Sequence, residues 1–126
     1  MNIPKELKYM ESHEWAKNEG GNIRVGVSDY AQHEITDVVH VELPAVGKKV
    51  EFKQPCAVIE SVKAAFDIYA PVSGEIIAVN EKLDANPELV NKAPYTDGYF
   101  FVIKPSNPSE LSKLMSSEDY KKTLTH

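Results

Sequence analysis

The 126-residue sequence has little of what several protein classes require. Its single cysteine, Cys56, cannot form an internal disulfide, which suits a reducing compartment. Its longest apolar run, residues 99–103, is far shorter than the roughly 20 residues that span a bilayer. Arg24 is the only arginine, and 19 acidic against 14 basic residues give a net charge of −5. We therefore expect neither a membrane protein nor a nucleic-acid reader, which would need basic, arginine-rich patches.

Most of the sequence is typical of short β-strands. Apolar and polar residues alternate over 23–27 and 39–43, which is the period of a half-buried strand. Glycines and prolines separate these segments from further apolar runs at 57–59, 68–69, 76–79 and 100–103. Gly20-Gly21 is interpreted as a turn between strands. This pattern favours a single mostly β domain of the sandwich or barrel type.

Three segments predict short helices. Residues 28–32 resemble a capped helical turn, and 86–89 resemble another, with Asn86 as the capping residue before a proline. Residues 107–110 have a capping-box arrangement with Glu110 at its third helical position. Apolar residues at helical spacing follow, and so we expect a helical cap at about 107–124.

The stretches 48–60 and 65–79 both alternate apolar and polar residues. If they pair, Lys63 lies at or near the tip of a hairpin, exposed by geometry. The tip lacks the Asn-Gly or Asp-Gly pair that two-residue hairpin turns favour. The alternation therefore predicts this hairpin without a turn signal at its tip.

No group of residues forms a self-sufficient catalytic site. The four histidines, at 13, 33, 40 and 126, lack metal-ligand spacing and are interpreted as surface or strand-face residues. Cys56 precedes an apolar run and is interpreted as a buried, inert thiol rather than a nucleophile. An acid/base pair among Glu11, Glu14, Glu60 and Asp67 would need a specific carboxylate separation that a sequence does not reveal. Elimination favours a carrier or binding role.

Glu60-Ser61-Val62-Lys63-Ala64, set between short β segments, resembles the lipoyl-lysine motif of the glycine cleavage system H-protein family. The resemblance extends along the chain in order, through residues 12–15, 29–32, 41–44, 46–47, 71–75, 79–80, 91 and 94–95. It implies the mostly β lipoyl/biotinyl hammerhead fold, a barrel-sandwich hybrid of two small antiparallel sheets with short helices. It also implies one H-protein domain over 1–126, with a lipoyl-bearing core at about 22–104 and the C-terminal helical cap at about 107–124.

The same resemblance implies a carrier protein that is not itself an enzyme. A lipoate ligase or lipoyl transferase would join lipoate to the Lys63 amine as an amide, which an arginine could not form. The arm would take the aminomethyl group of glycine from glycine decarboxylase (P protein) to the aminomethyltransferase (T protein). Dihydrolipoamide dehydrogenase (L protein) would reoxidise it. From the composition and the spacing of histidine and cysteine, we expect no metal site and no nucleic-acid or membrane partner.

In this family the loaded arm lies near the residues that match Ser12, Glu14 and Asp67. Carboxylates there would hold an ammonium group by charge-assisted hydrogen bonds and shield it from water. The alternative is that Glu14 and Asp67 are solvated surface acids, which contribute little.

The sequence departs from the family at three places that bear on the arm groove or the partner surface. Phe66 replaces a small polar residue, Ile35-Thr36-Asp37 replaces a Leu-Gly-acidic sequence, and Tyr99 replaces a common tryptophan.

Three other functions remain open. An H-like lipoate relay would donate lipoyl groups to 2-oxoacid dehydrogenase subunits. A biotin carrier would have methionine on both sides of the modified lysine, where this chain has Val62 and Ala64. A small acid/base enzyme would use Glu14 or Asp67. Residues 1–8 lack a secretory or transit signal, and so we expect a bacterial cytoplasmic protein or a mature mitochondrial-matrix chain.

Overall fold

A computed structural model describes residues 1–124 of the chain, and His126 lies outside them. The described residues contain nine strands, four short α-helices and one 3₁₀ helix. In chain order these are β1 (Lys8–Tyr9), β2 (Glu14–Glu19), β3 (Asn22–Val27), α1 (Asp29–Ile35), β4 (Val38–Glu42), β5 (Lys49–Val50), β6 (Pro55–Ser61), β7 (Ala65–Tyr69), β8 (Gly74–Val79), α2 (Lys82–Ala85), α3 (Leu89–Lys92), β9 (Phe101–Pro105), the 3₁₀ helix (Pro108–Lys113) and α4 (Ser117–Thr123).

The strands form two antiparallel sheets, and neither closes into a barrel. The larger sheet has the order β1-β2-β3-β9-β8-β5, and the smaller has the order β4-β6-β7. The chain alternates between them, because β4, β6 and β7 join the smaller sheet while β5 and β8 join the larger one. The predicted mostly β fold with two antiparallel sheets and short helices is therefore confirmed.

The core lies between the sheets. Alternate residues of the strands turn inward and are fully buried, among them Ile23, Ile59, Ile76 and Ile103. Burying each such side chain contributes about 1.5–3 kcal/mol relative to leaving it exposed. Gly74 is required beside this core, since a Cβ at that position would overlap the carbonyl of Lys104.

A second apolar cluster joins the N-terminal segment to the C-terminal helix. It contains Ile3, Leu7, Tyr9, Trp15 and Tyr120. The rings of Tyr9 and Tyr120 stack with centroids 4.6 Å apart and an interplanar angle of 3°. This stack fixes α4 against the larger sheet.

Two predicted local structures are confirmed. Gly20 and Gly21 form the turn between β2 and β3, both with positive φ (63° and 99°). Ser28 caps α1, because its hydroxyl oxygen accepts a hydrogen bond of 3.1 Å from the Ala31 amide.

Two predicted caps are wrong. Asn86 ends α2 instead of starting the next helix, and α3 begins at Leu89 without a side-chain cap. Asn107 makes no side-chain capping bond to an amide of the 3₁₀ helix, and its Oδ1 accepts a bond from the Ser109 hydroxyl instead. Glu110 instead accepts two bonds from Ser73, one from its amide (2.7 Å) and one from its hydroxyl (2.9 Å). A tertiary contact has replaced the predicted local one.

Within residues 1–124, no helix is long and apolar enough to cross a membrane.

Candidate functional site

Residues 61–64 form the tip of the β6–β7 hairpin. The two strands pair antiparallel with Glu60 opposite Ala65, which confirms the hairpin that the alternation made plausible. Ser61 organises the tip without an Asn-Gly pair. Its hydroxyl oxygen accepts bonds of 3.2 Å from the amides of Lys63 and Ala64, and the hydroxyl donates to the Ala64 carbonyl, also at 3.2 Å. One donor and two acceptors are the full capacity of a hydroxyl group.

The Lys63 side chain is exposed at this tip and forms no ion pair or hydrogen bond with any residue from 1 to 124. Its neighbours Val62 and Ala64 are also exposed, as is Glu60 at the end of β6. The amide of Val62 donates a 3.1 Å hydrogen bond to the carbonyl of Asp37, which ties the tip to the segment before β4. A primary amine thus stands free on a base that two strands and this bond hold in place.

Glu14 is buried at the start of β2, with only 1% of its surface exposed. Its Oε1 accepts a 2.5 Å bond from the Ser12 hydroxyl, and its Oε2 accepts a 2.8 Å bond from the Tyr69 amide. Burial raises the pKa of Glu14 to about 7, and the two bonds oppose this rise because they stabilise the carboxylate. Glu14 is therefore not a solvated surface acid, whereas Asp67 is exposed.

A cleft of about 210 Å³ opens between α1 and β7. It brings Ser12 and Asp67 together, while Glu14 lies behind Ser12 and does not line the cleft itself. The lining residues are Ser12, His13, Val27, Tyr30, Ala31, Glu34, Ile35, Phe66, Asp67 and Ile68. The wall is apolar in its interior and carries carboxylates at the exposed positions 34 and 67.

Two of the three departures from the family pattern fall at this cleft. Phe66 and Ile35 line it, and Thr36 follows Ile35 with a positive φ of 68°. Tyr99 does not line it. The guanidinium of Arg24 lies 4.3 Å from the centroid of the Tyr99 ring, beside the second apolar cluster.

A family model described as "Glycine cleavage H-protein" matches residues 7–126. The chain belongs to the glycine cleavage H-protein family. The glycine cleavage system H protein of Endomicrobium trichonymphae is 51% identical over 124 residues, which are 98% of this chain and 100% of that one. The H protein of Shewanella loihica is 56% identical over 124 residues, which are 98% of this chain and 96% of that one.

A solved H-protein structure has the same fold. The crystal structure of the glycine cleavage system H protein from Mycobacterium marinum superimposes with a TM-score of 0.89. It is 30% identical and covers 97% of this chain and 98% of its own. Glycine cleavage H proteins are lipoate-carrying carrier subunits and not enzymes, and so this member is a carrier protein.

Residues 1–124 of this H-protein family member contain neither a cluster of metal ligands nor a reactive thiol. Across residues 1–124 no three His, Cys, Asp or Glu side chains are arranged to hold a metal ion. Cys56 is buried, as predicted, and burial raises the pKa of its thiol to about 12. A thiol with such a pKa is inert at neutral pH.

Sequence reasoning missed two groups of the candidate site. The Tyr69 amide binds Glu14 from 55 positions away, and a backbone donor leaves no signal in a sequence. His13 lines the cleft, half-buried, although its pattern was interpreted as that of a surface or strand-face histidine. Its position between Ser12 and Glu14 is the signal that could have identified it as a residue of the site.

Proposed function

We propose that this H-protein family member is the lipoylated carrier of the glycine cleavage system, with lipoate joined to Lys63. It receives the aminomethyl group of glycine from glycine decarboxylase and delivers it to the aminomethyltransferase. The observation that carries this proposal is the free, exposed Lys63 amine at the rigid hairpin tip, in a family that carries lipoate.

The tip suits a lysine that other proteins must acylate and then visit in turn. The amine is not engaged in an ion pair with residues 1–124, and so no contact has to break before it reacts. The Ser61 bonds and the Val62–Asp37 bond hold the backbone beneath it. When bound, lipoate would supply a dithiol/disulfide pair at the end of a long flexible arm. The chain itself contributes the attachment point and a defined base.

The cleft suits a group that has to be kept from water. Its interior is apolar, and Asp67 lies on β7 only four residues from Lys63. An ammonium group in the cleft would be attracted by the Asp67 carboxylate and by the ionised form of Glu14 behind Ser12. Such a cation would also favour the ionised form of Glu14 and lower its pKa from about 7. We assign Ser12, Glu14 and Asp67 this holding role.

The partners of this function are glycine decarboxylase, the aminomethyltransferase, dihydrolipoamide dehydrogenase and a lipoate ligase or lipoyl transferase. Their contacts would be transient, since one arm serves several enzymes. The net charge of −5 would steer encounters with basic surfaces, and association rates would then fall as salt rises. The bacterial relatives favour a bacterial cytoplasmic setting over the mitochondrial matrix.

Intact-mass measurement after co-expression with a lipoate ligase tests the attachment. We expect the mass of one lipoyl group on the wild-type protein and on Lys92→Arg, which changes another exposed lysine. Lys63→Arg should carry none. An unmodified wild-type protein, or a lipoyl group that persists in Lys63→Arg, would overturn the assignment.

The lifetime of the loaded arm in water tests the cleft. Glu14→Gln combined with Asp67→Asn should shorten that lifetime, while lipoylation remains complete. Glu11→Gln, which removes an exposed carboxylate near Ser12 but outside this cleft, is the matched control. Equal lifetimes in the double variant and the wild type would remove the holding role and leave the attachment at Lys63 intact.

A further inference from the structure

The C-terminal helix reaches the wall of the cleft through one buried hydroxyl group. Tyr120, on α4, is fully buried, and its Oη lies 2.8 Å from Nδ1 of His13 and 2.6 Å from Oγ of Ser28. The ring of His13 meets the Tyr120 ring edge-on at 5.7 Å and the Tyr30 ring at 5.0 Å. His13 is thus held on two sides by aromatic rings.

The direction of the hydrogen bonds follows from the number of acceptors. Ser28 is fully buried, and its oxygen already accepts the bond from the Ala31 amide. Within residues 1–124, the acceptor in reach of the Ser28 proton is Oη of Tyr120. Tyr120 therefore accepts a hydrogen bond from the Ser28 hydroxyl and donates its own proton to Nδ1 of His13.

The opposite direction would leave a buried proton without a partner. If Nδ1 of His13 carried a proton, both it and the Ser28 hydroxyl would donate to the oxygen of Tyr120. The proton of Tyr120 would then have no acceptor in this buried position, which is costly. The arrangement thus disfavours both the Nδ1–H tautomer and the doubly protonated ring.

The backbone at His13 shows that the position is held by its surroundings. Its φ is +82°, in the left-handed region that non-glycine residues rarely adopt. The His13 amide donates to the Met10 carbonyl at 3.0 Å, and its carbonyl accepts from the Ser28 amide at 2.9 Å. Glu14 follows directly. The ring of His13 and the carboxylate that binds Ser12 therefore share one tightly held turn.

We propose that Tyr120 is a positioning residue for the cleft, whose hydroxyl keeps the proton of His13 on Nε2 and holds the ring in the cleft wall. His13 then offers a fixed N–H donor, because among residues 1–124 its Nε2 has no hydrogen-bond partner. The natural recipient is an acceptor atom of the cleft's occupant. That this occupant is the lipoyl arm rests on the proposed function.

The groups that surround His13 affect the pKa of its ring. Burial lowers the pKa of His13 below its usual value, and the Glu34 carboxylate opposes this. The other carboxyl groups near it are those of Asp67, which lines the same cleft, and Glu14, which is the next residue in the chain. Tyr30 and Tyr120 are the other titratable groups in contact with it.

Titration of His13 by NMR in the full-length protein is the decisive test. Long-range proton–nitrogen spectra identify the protonated ring nitrogen, and His13→Asn assigns the signals. We expect Nε2–H in the wild type. In Tyr120→Phe the neutral His13 ring loses the hydrogen bond that stabilises it, and the pKa of His13 should therefore rise by roughly 0.5 to 1 unit.

Tyr9→Phe is the matched control, since Tyr9 is the other member of the ring stack and its hydroxyl donates to Pro4 instead. It should leave the His13 titration unchanged. An Nδ1–H tautomer in the wild type, or equal pKa values in wild type and Tyr120→Phe, would overturn the proposal.

The lifetime in water of the arm that carries the aminomethyl group tests the role of Tyr120 in the cleft. Tyr120→Phe should shorten it several-fold relative to Tyr9→Phe, and equal lifetimes would overturn the role in the cleft. Failure of the proposed function would show itself differently. Lys63 would then stay unmodified in intact-mass measurements, while the His13 titration would still follow the hydroxyl of Tyr120.

Discussion

The hydroxyl of Ser12 donates a 2.5 Å hydrogen bond to Oε1 of Glu14, and this bond joins the surface of the cleft to a buried carboxylate. The other oxygen of Glu14 binds the Tyr69 amide on β7. Glu14 therefore connects two strands that belong to different sheets, β2 and β7. Its charge state affects both the cohesion of the sheets and the electrostatic potential at the cleft.

Glu14 should make stability depend on pH near neutrality. Burial raises its pKa from the ordinary 4.5 to about 7, and so the folded protein holds this proton more tightly than the unfolded chain. The resulting stabilisation is complete below about pH 4.5 and is lost as the pH rises through about 7. The difference corresponds to about 3 kcal/mol of unfolding free energy. Urea unfolding between about pH 5 and pH 8 measures it.

Glu14→Gln should flatten this part of the stability profile, because the amide has no proton to lose. Glu11→Gln, at an exposed site, should keep the wild-type slope. A Glu14→Gln profile that runs parallel to the wild type over the same range would contradict the raised pKa of Glu14.

Ser61→Ala should loosen the lysine-bearing tip locally. The amides of Lys63 and Ala64 both lose their bonds to the Ser61 hydroxyl. A loss of about 1 kcal/mol would accelerate hydrogen exchange at these two amides about fivefold. Ser61→Thr keeps a hydroxyl and should exchange at the wild-type rate.

The Val62 amide is an internal reference for the same experiment, since it is bonded to the carbonyl of Asp37 and not to Ser61. Its exchange should change little in Ser61→Ala. Uniform acceleration at positions 62–64 would mean that the tip depends on the whole hairpin rather than on the hydroxyl.

Thr36→Gly should stabilise the protein. Thr36 has φ 68° and ψ −156°, a backbone region that is essentially confined to glycine. A β-branched residue there costs of order 1–3 kcal/mol, of which glycine would recover about 1 after its own entropy loss in folding. The bonds of the Thr36 backbone to Gln32 and Asn91 do not involve its side chain and would remain.

Thr36→Ala retains a Cβ in the same strained conformation and should recover much less than the glycine variant. Thermal unfolding compares the three proteins. A glycine variant no more stable than the alanine variant would show that the backbone at position 36 is not under strain. Asp37, the next residue, supports the hairpin tip because its carbonyl accepts a bond from the Val62 amide. Relief of strain at position 36 would therefore also affect the backbone beneath Lys63.

The strands and the lysine hairpin could be predicted because their signals are local. Alternation over 23–27 and on both sides of Lys63 reflects burial of one face of each strand, and the structure has strands at these places. The capped turn at Ser28 is equally local, since its bond spans three residues. The order of motifs predicted the family, which the comparisons confirm.

The interior of the site could not be predicted because its contacts join distant parts of the chain. Ser28 and Tyr120 are 92 positions apart, and Glu14 and Tyr69 are 55 positions apart. Each bond exists only after the sheets have packed. The burial of Glu14 depends on the same packing, whereas its sequence context, among other charged residues, was equally compatible with a surface acid.

At Glu110 the local capping signal failed, because its carboxylate bonds to Ser73 instead of the start of the 3₁₀ helix. The carboxylate is buried at 7% exposure and accepts bonds from the amide and the hydroxyl of Ser73, whose oxygen in turn accepts from the Phe52 amide. Glu110→Ala should lower the unfolding free energy by about 1–3 kcal/mol, because it leaves the partly buried amide and hydroxyl of Ser73 without their acceptor. Ser109→Ala removes an exposed hydroxyl whose one bond within residues 1–124 is to Asn107, and so it should cost less than about 0.5 kcal/mol. A loss in Glu110→Ala as small as the loss in Ser109→Ala, both measured by urea unfolding, would contradict the tertiary role of Glu110.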